Sequence, residues 1–265
     1  TGVGAARGNV LVLDPANGMT VARGRGRHEE EADRSWVTGR GELRMRMGED
    51  TLYLHGDTLI ATMDSTWRRI TALHGVRFFK SDLQGACDTM FYTERDSVIQ
   101  LRSQPVLWSG DDQITGEEVR VTLNDGKPHR LFVDRAAFLC SRVDSTFFDQ
   151  VTGTTMTGYF NAGELDRLIA EGNCRTVYFA REEGAASVDA GSSTAKDQKL
   201  IGVNRVDCSR IRVELREGEA DVIAFLTKPD GTMYPVGKVP EEELRLRGFL
   251  WRGDERPATR EAIFE

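Results

Sequence analysis

Three pairs of adjacent acidic residues have the side chains that general acid-base catalysis requires. They lie at positions 111–112, 117–118 and 182–183. An enzyme that cleaves a polysaccharide needs two carboxylates, or a base beside an arginine, that converge across a cleft. These pairs fall in turns or at strand edges, where a solvated role is usual. The sequence therefore predicts no catalytic residue, and an enzyme built on a repetitive β scaffold is the least favoured alternative.

A histidine beside several acids has the composition of a metal site. His28 is followed by Glu29, Glu30, Glu31 and Asp33. Contiguous residues in one strand point alternately to opposite faces, so these side chains cannot all reach one ion. We interpret the segment as a charged loop before the next strand and predict no metal ligand.

The four cysteines stand far apart, at Cys87, Cys140, Cys174 and Cys208. No CxxC pair occurs and no histidine follows at ligand spacing, so a zinc site is disfavoured. Free buried thiols are the favoured prediction and disulfides the alternative. The chain also has no GxSxG motif, no Walker A motif and no complete GxGxxG motif, so no cofactor is predicted.

The charge of the chain excludes nucleic acid as a partner, and its hydropathy excludes a membrane-spanning helix. Acidic residues number 42 and basic residues 35, which gives a net charge of −7 and no broad basic field for nucleic acid. No apolar run reaches the roughly 18 residues of a membrane-spanning helix. Thr1 is not followed by a leader-like segment. We expect an exported protein whose signal peptide is not part of this chain.

A five-residue pattern recurs along the chain and predicts the strands that position any site. Its copies begin at residues 57, 88, 117, 154 and 209, and each carries apolar residues two positions apart. A period of two is typical of strands with one buried face. The apolar face is predicted to carry Leu59, Met90, Val119, Met156 and Ile211, and the opposite face Thr58, Thr89, Glu118, Thr155 and Arg210.

Each copy is followed by a polar turn and a second strand. The second strands are predicted at 70–79, 98–108, 131–140, 168–179 and 222–226. A glycine precedes four copies (Gly56, Gly85, Gly116 and Gly153), where a missing Cβ permits a tight corner or bulge. The unit is therefore strand, turn, strand, turn, and each unit needs its neighbours to bury its apolar face.

One irregular region interrupts the repeat between its fourth and fifth copies, and another follows the last copy. Residues 184–199 (GAASVDAGSSTAKDQK) lack strand-forming residues and are interpreted as a mobile insertion. Pro240 followed by three glutamates predicts one short helix near the end. We predict one domain over residues 1–253, truncated at its N-terminal end, and a C-terminal tail over 254–265.

The repeats resemble the OstA-like family, which includes the periplasmic bridge protein LptA and the N-terminal domain of its outer-membrane partner LptD. Second strands such as 70–76 (ITALHGV) and 168–174 (LIAEGNC) carry the likeness. Three C-terminal stretches are similar to OstA-like proteins of Bacteroidetes: 152–160 (TGTTMTGYF), 201–204 (IGVN) and 241–251 (EEELRLRGFLW). The resemblance covers roughly residues 35–253, and the chain departs from small LptA-like proteins in its length and its insertion.

The resemblance implies an all-β fold of stacked antiparallel strand pairs, a V-shaped β-jellyroll whose sheets enclose an apolar groove. It implies a non-enzymatic periplasmic protein of outer-membrane biogenesis that transports lipopolysaccharide and shields its acyl chains. Partners would be other Lpt-type β-jellyroll proteins, or a second copy of the chain, joined through end strands. The alternative is an envelope assembly or scaffold protein of the same fold that carries no lipid.

Candidate groove residues follow from the apolar stripe. Methionine, with its flexible thioether, suits disordered acyl chains. Without lipid, the same residues would meet across the two sheets as an ordinary core. The candidates for lipid binding are Leu59, Met63, Met90, Tyr92, Val119, Val121, Met156, Phe160, Ile211 and Val213.

Overall fold

The computed structural model describes residues 2–8, 11–14, 19–22, 24–47, 49–64, 66–162, 164–181, 200–216 and 219–265. These residues form eighteen strands, and every pairing between them is antiparallel. The strands are β1 Val3–Arg7, β2 Leu11–Asp14, β3 Met19–Ala22, β4 Arg25–Glu29, β5 Arg34–Met47, β6 Asp50–Asp64, β7 Trp67–Phe79, β8 Gln84–Thr93, β9 Val98–Arg102, β10 Val106–Ser109, β11 Asp112–Thr115, β12 Glu118–Asn124, β13 Lys127–Arg142, β14 Phe148–Asn161, β15 Glu164–Arg181, β16 Leu200–Arg216, β17 Glu219–Leu226 and β18 Asp230–Pro235.

Most of the long strands change register near their middle. The shifts lie between Thr38 and Gly41, His55 and Thr58, Leu73 and Val76, Asp134 and Ala137, Thr152 and Thr155, and Glu171 and Cys174. Extra residues at such bulges bend a strand and increase its twist. Alternate strands also place two consecutive residues at positive φ there, as at His74 with Gly75 and at Gly172 with Asn173. The bulges line up from strand to strand and form one corner.

The corner divides the strands into two sheets. The first sheet comprises β1, β4, β9, β12, β17 and residues 34–38, 58–64, 67–73, 89–93, 127–134, 155–161, 164–171 and 210–216. The second sheet comprises β2, β3, β10, β11, β18 and residues 41–47, 50–56, 76–79, 84–87, 137–142, 148–153, 174–181 and 200–208. The predicted all-β fold of stacked antiparallel strand pairs, folded as a β-jellyroll, is confirmed.

Small residues occupy the corner because backbones approach closely there. A Cβ added to Gly56 would lie 3.3 Å from the Leu73 carbonyl oxygen, and one added to Gly153 would lie 3.1 Å from that of Glu171. Each of the five sequence copies begins just after this position. Gly85 does not share the role, because it lies inside β8 and Cys87 holds the corner position of that copy.

The core lies between the two sheets. One cluster of buried side chains includes the inner residues of both. In the first sheet a single row of directly opposed residues runs across the strands: Leu59, Ala72, Met90, Leu101, Val119, Val133, Met156, Ala170 and Ile211. The second sheet contributes Leu54, Phe78, Leu107, Ile114, Leu139 and Val151 from its inner face. The predicted period of two and the predicted face assignment thus agree with the core.

A C-terminal strap, residues 238–265, crosses the outer face of the second sheet. It contains three short 3-10 turns, Glu241–Glu243, Gly253–Glu255 and Glu261–Phe264. Leu246 is buried there with Phe138, Phe148 and Val177, and Phe249 and Trp251 pack against the same cluster. The helix predicted after Pro240 is the first of these turns. Because the strap covers apolar side chains, the second sheet is buried on both faces over this region.

Buried polar side chains of the second sheet hold the strap at successive points. Gln150 donates to the Leu244 carbonyl oxygen (2.9 Å) and accepts from the Leu246 amide (2.8 Å). Gln113 donates to the Leu250 carbonyl oxygen (2.8 Å) and accepts from the Arg252 amide (2.7 Å). A side-chain amide thereby makes the pair of bonds that a neighbouring strand would make. These contacts align the strap with the sheet.

Further along the strap, charged side chains make the contacts with the second sheet. Arg256 Nε donates to Gln84 (2.8 Å). The Arg260 guanidinium donates to both oxygens of Glu42, at 2.9 and 3.2 Å. Ile263 is fully buried. The predicted domain boundary at residue 253 stays a prediction, and the predicted insertion at 184–199 lies outside the described residues.

Candidate functional site

An apolar row follows the open side of the fold, where the two sheets part away from the corner. Four half-buried residues of the first sheet, one each from β8, β12, β14 and β16, pack against the core along this line. We call this row the seam, and its residues are Tyr92, Leu123, Phe160 and Leu215. The seam joins the closed core to the solvent at the ends of the hairpins.

The ten predicted groove residues separate into two groups in the structure. Seven are at most 6% exposed and belong to the core: Leu59, Met90, Val119, Val121, Met156, Ile211 and Val213. The other three, Met63, Tyr92 and Phe160, are half-buried. The structure therefore brings all ten to the inner side of the first sheet or its rim, at two different depths. That they bind lipid stays a prediction.

Leu123 and Leu215 belong to the seam although the sequence analysis did not select them. Each is the third member of an alternating series, after Val119 and Val121 in β12 and after Ile211 and Val213 in β16. Extending the period of two by one step would have found both. The seam residues differ from the core residues by their place near the turn, where the ladder shifts register between Thr122 and Leu123 and again between Glu214 and Leu215.

The seam opens into a small cavity at the N-terminal side of the stack. Its volume is about 130 Å³, and it lies between Met45 and Met47 of the second sheet and Tyr92 and Leu123 of the first. Burial raises the pKa of the Tyr92 phenol, so this side chain stays neutral. The site thus has an apolar floor contributed by both sheets.

Charged residues line the rim of this cavity. Arg46, Arg68 and Glu94 contribute to its lining. The Arg68 backbone amide donates to a Glu94 carboxylate oxygen at 3.1 Å, which closes the hairpin end beside the cavity. An apolar floor with a charged rim fits an amphiphile whose chain enters and whose polar head stays outside.

A larger cavity lies elsewhere, between the strap and the outer face of the second sheet. Its volume is about 470 Å³, and polar residues of the strap (Glu241, Glu242 and Arg245) form much of its wall. None of the predicted groove residues lines this cavity. We therefore place the candidate site at the seam.

The acidic pairs and the histidine do not converge on a catalytic or metal site among the described residues. Glu117 pairs with Arg135, and Glu118 lies between Arg102 and Arg120. His28 shares a hydrogen bond with Ser35 (2.9 Å). Within the described ranges no group of three metal-ligating side chains comes together. The pair at 182–183 lies outside the described residues.

All four cysteines are buried and free. Burial raises the pKa of Cys87 and Cys140 to about 12 and that of Cys174 to about 11. Reactive cysteines have a lowered pKa instead. The arrangement does not suit a catalytic thiol.

Comparison with protein-family models and with curated proteins finds no match. Among solved structures, the chain is similar to LptH of Pseudomonas aeruginosa, described as the LptA homologous periplasmic component of the conserved lipopolysaccharide transport device. The two share 11% identity with a TM-score of 0.40, over 58% of this chain and 95% of LptH. In the described part of the chain, no helix has the length and hydropathy needed to cross a membrane.

Proposed function

We propose that this protein binds and transports lipopolysaccharide in the periplasm, as part of outer-membrane assembly, and shields acyl chains at the seam. The observation that carries the proposal is the row of half-buried apolar side chains continuous with the core (Tyr92, Leu123, Phe160 and Leu215). The sequence resemblance to the OstA-like family supports the same function.

The energetics favour a chain-shaped apolar ligand. Each buried CH₂ group contributes about 0.8 kcal/mol, so a fully covered acyl segment of several carbons gains several kcal/mol. The seam residues stand on alternate strands of the first sheet, with β9, β13 and β15 between them. Neighbouring strands lie about 4.8 Å apart, so a seam that spans these seven strands is long enough to lie along an extended acyl chain. Movement of the hairpin ends would expose the core residues Met90 and Met156 behind it.

Partners are proposed to join at the last strands of the stack. In the described part of the chain, β17 and β18 each pair with β16 alone, so each has one free edge. Val222, Leu226 and Met233 on these strands are 36–50% exposed. An edge strand with exposed apolar residues is a template for strand addition. The occupant would be another Lpt-type β-jellyroll protein or a second copy of this chain.

A second candidate function is an envelope assembly or scaffold role without lipid. It is favoured by the burial of seven of the ten predicted groove residues in a closed core. In that case the seam is the edge of the core, and the free strand edge is the only functional surface that the proposal requires. The two functions differ in whether the seam contacts acyl chains.

A photo-crosslinker separates the two functions. We would place p-benzoyl-phenylalanine at Phe160, on the seam, and as a matched control at Tyr159, which lies next to it on the opposite face of β14. Lipopolysaccharide adducts at 160 and none at 159 would support transport. Equal labelling at both positions, or labelling at neither while the protein remains folded, would contradict it.

A further inference from the structure

Two of the four cysteines face each other across adjacent strands. Cys174 of β15 and Cys208 of β16 are directly opposed in the antiparallel ladder. Directly opposed residues point to the same face of a sheet, with Cα atoms about 4.5 to 5.5 Å apart. A disulfide requires Cα atoms about 4.4 to 6.8 Å apart. The pairing of the two strands thus supplies the spacing that a cross-strand disulfide needs.

The local surroundings hold both thiols inside the core. Cys174 and Cys208 are 1% and 8% exposed and belong to the same inner cluster. Their Sγ atoms donate to backbone carbonyl oxygens at the corner, Cys174 to Ser209 (3.5 Å) and Cys208 to Arg210 (3.4 Å). The nearby Cys208 thiol also contributes to the raised pKa of Cys174. The two thiols are therefore near neighbours within the core.

The other two cysteines provide an internal comparison. Cys87 is opposed by Val76, and Cys140 lies between Gln113 and Gln150 in its row. Neither has a cysteine opposite it. At the corner, the equivalent opposed pairs are Gly41 with Gly56 and Ala137 with Gly153. Among the corner pairs of the described residues, only Cys174–Cys208 has a thiol on both members and can form a disulfide.

We propose that Cys174 and Cys208 form a cross-strand disulfide that fixes the corner between β15 and β16. The bond would join two strands that are separated in sequence by residues 182–199. The corner would then be held covalently on both sides of that segment. The proposal rests on the periplasmic location proposed above, because disulfides persist in oxidising compartments.

The reaction is a thiol-disulfide exchange with an oxidised dithiol oxidase or glutathione disulfide. The thiolate of one cysteine attacks a sulfur of the oxidant and releases one thiolate from it. The second cysteine then attacks the mixed disulfide and releases the other thiolate. Two protein thiols lose two protons and two electrons, and the oxidant becomes two thiols. Because burial suppresses both thiolates, the exchange should be fast during folding and slow in the folded protein.

Peptide mapping tests the bond directly. The full chain is refolded with oxidised and reduced glutathione, remaining thiols are alkylated, and the denatured protein is digested with trypsin without reduction. Cys174 lies in the tryptic peptide 168–175 (LIAEGNCR) and Cys208 in 206–210 (VDCSR). We expect these two peptides as one linked species that separates on reduction. The peptides 81–95 and 136–142, with Cys87 and Cys140, should be alkylated and unlinked.

Thermal stability gives a second readout. Dithiothreitol should lower the melting temperature of the oxidised protein by about 5 to 15 °C, the range for a typical native disulfide in a chain of this size. The Cys208→Ala variant should lose this response. The Cys87→Ala variant, also at the corner, should keep it. Alkylated, unlinked 168–175 and 206–210 peptides after oxidative refolding, together with no effect of reductant, would overturn the proposal.

Alkylation of thiols in intact cells before lysis tests the disulfide and the proposed periplasmic location separately. A linked peptide in protein from cells supports both the bond and an oxidising compartment. A bond that forms in refolded protein but is absent in cells supports the site and contradicts the periplasmic location. Crosslinking at Phe160 tests lipid binding independently of either result.

Discussion

Removing the Arg260 side chain should release the end of the strap and destabilise the fold. Arg260 donates to both oxygens of Glu42, whose side chain is fully buried. Burial raises the pKa of Glu42, but the hydrogen bonds and charges of Arg44 and Arg260 outweigh that effect and hold the pKa below its ordinary value. Arg260→Ala therefore removes one of the cations that pair with a buried carboxylate.

The magnitude follows from the geometry of the pair. Breaking a buried ion pair costs about 3 to 5 kcal/mol when the remaining charge has no other partner. Glu42 keeps Arg44, at 2.9 Å, and the Arg260 side chain is 31% exposed, so solvent offsets part of the loss. We expect Arg260→Ala to lower the free energy of unfolding by about 2 to 3 kcal/mol, which corresponds to roughly 4 to 12 °C in melting temperature.

Urea unfolding at pH 7 measures the effect, with Arg247→Ala as the matched control. Arg247 is an exposed arginine of the same strap, and its removal should change stability by less than about 0.5 kcal/mol. A double-mutant cycle with Glu42→Gln should give a coupling energy above about 1 kcal/mol. If Arg260→Ala is no more destabilising than Arg247→Ala, the strap does not pack on the sheet as described.

The pH dependence gives a further check on the same pair. The folded pKa of Glu42 is lowered, so its contribution is present above the unfolded pKa and is lost as pH falls through the folded pKa. The difference between wild type and Arg260→Ala should therefore be largest near neutral pH and should shrink as the pH falls below about 4. A difference that grows on acidification would refute the assignment.

Three further substitutions test other parts of the structure. Gln113→Leu removes two buried bonds to the strap and should cost about 2 to 3 kcal/mol in urea unfolding, with faster amide exchange at residue 252; unchanged exchange would contradict the role of Gln113. Burial raises the pKa of Asp149 to about 7, so the protonated form, which favours the folded state, is lost as the pH rises toward 7. Asp149→Asn should therefore be more stable than wild type by about 1 to 3 kcal/mol at pH 8 and by much less at pH 4. An equal gain in stability at both pH values would count against this assignment. Met90→Asp should unfold the stack, as measured by circular dichroism, because it places a charge at a core position that is 3% exposed. Thr89→Glu, on the opposite face, should leave the protein folded. A folded Met90→Asp protein would show that the face assignment is wrong.

The repeat was predictable because it is local. Alternation with period two identified the faces of Met90, Met156 and Ile211, and all three are in the core. The corner could not be read from alternation alone, since it depends on bulges that shift register between strands. Glycine marks it at Gly56 and Gly153, but Cys87 serves as well at another copy, because the corner requires a small side chain rather than glycine specifically.

The strap was not predictable from local pattern. Gln113 and Gln150 are polar residues of the outer face, and they are 1% exposed because a segment distant in sequence covers them. The same long-range contact buries Glu42. Sequence periodicity reports which residues share a face, but not which of two faces a later segment will cover. The degree of burial of the predicted groove residues could not be predicted either, because core and seam residues lie on the same face of the strands.

The strap makes the two sheets unequal in stiffness, and this inequality bears on how the seam could admit a ligand. The second sheet is held by strand pairing, by the core and by the strap on its outer face. The first sheet is held by strand pairing and by the core on its inner face. Its outer face carries arginine–acid pairs and arginines that lie over Phe91 and Phe132. Elements with fewer buried contacts open at lower free energy. Opening of the seam should therefore be a movement of the first-sheet hairpins, which carry Tyr92 and Phe160, against a fixed second sheet.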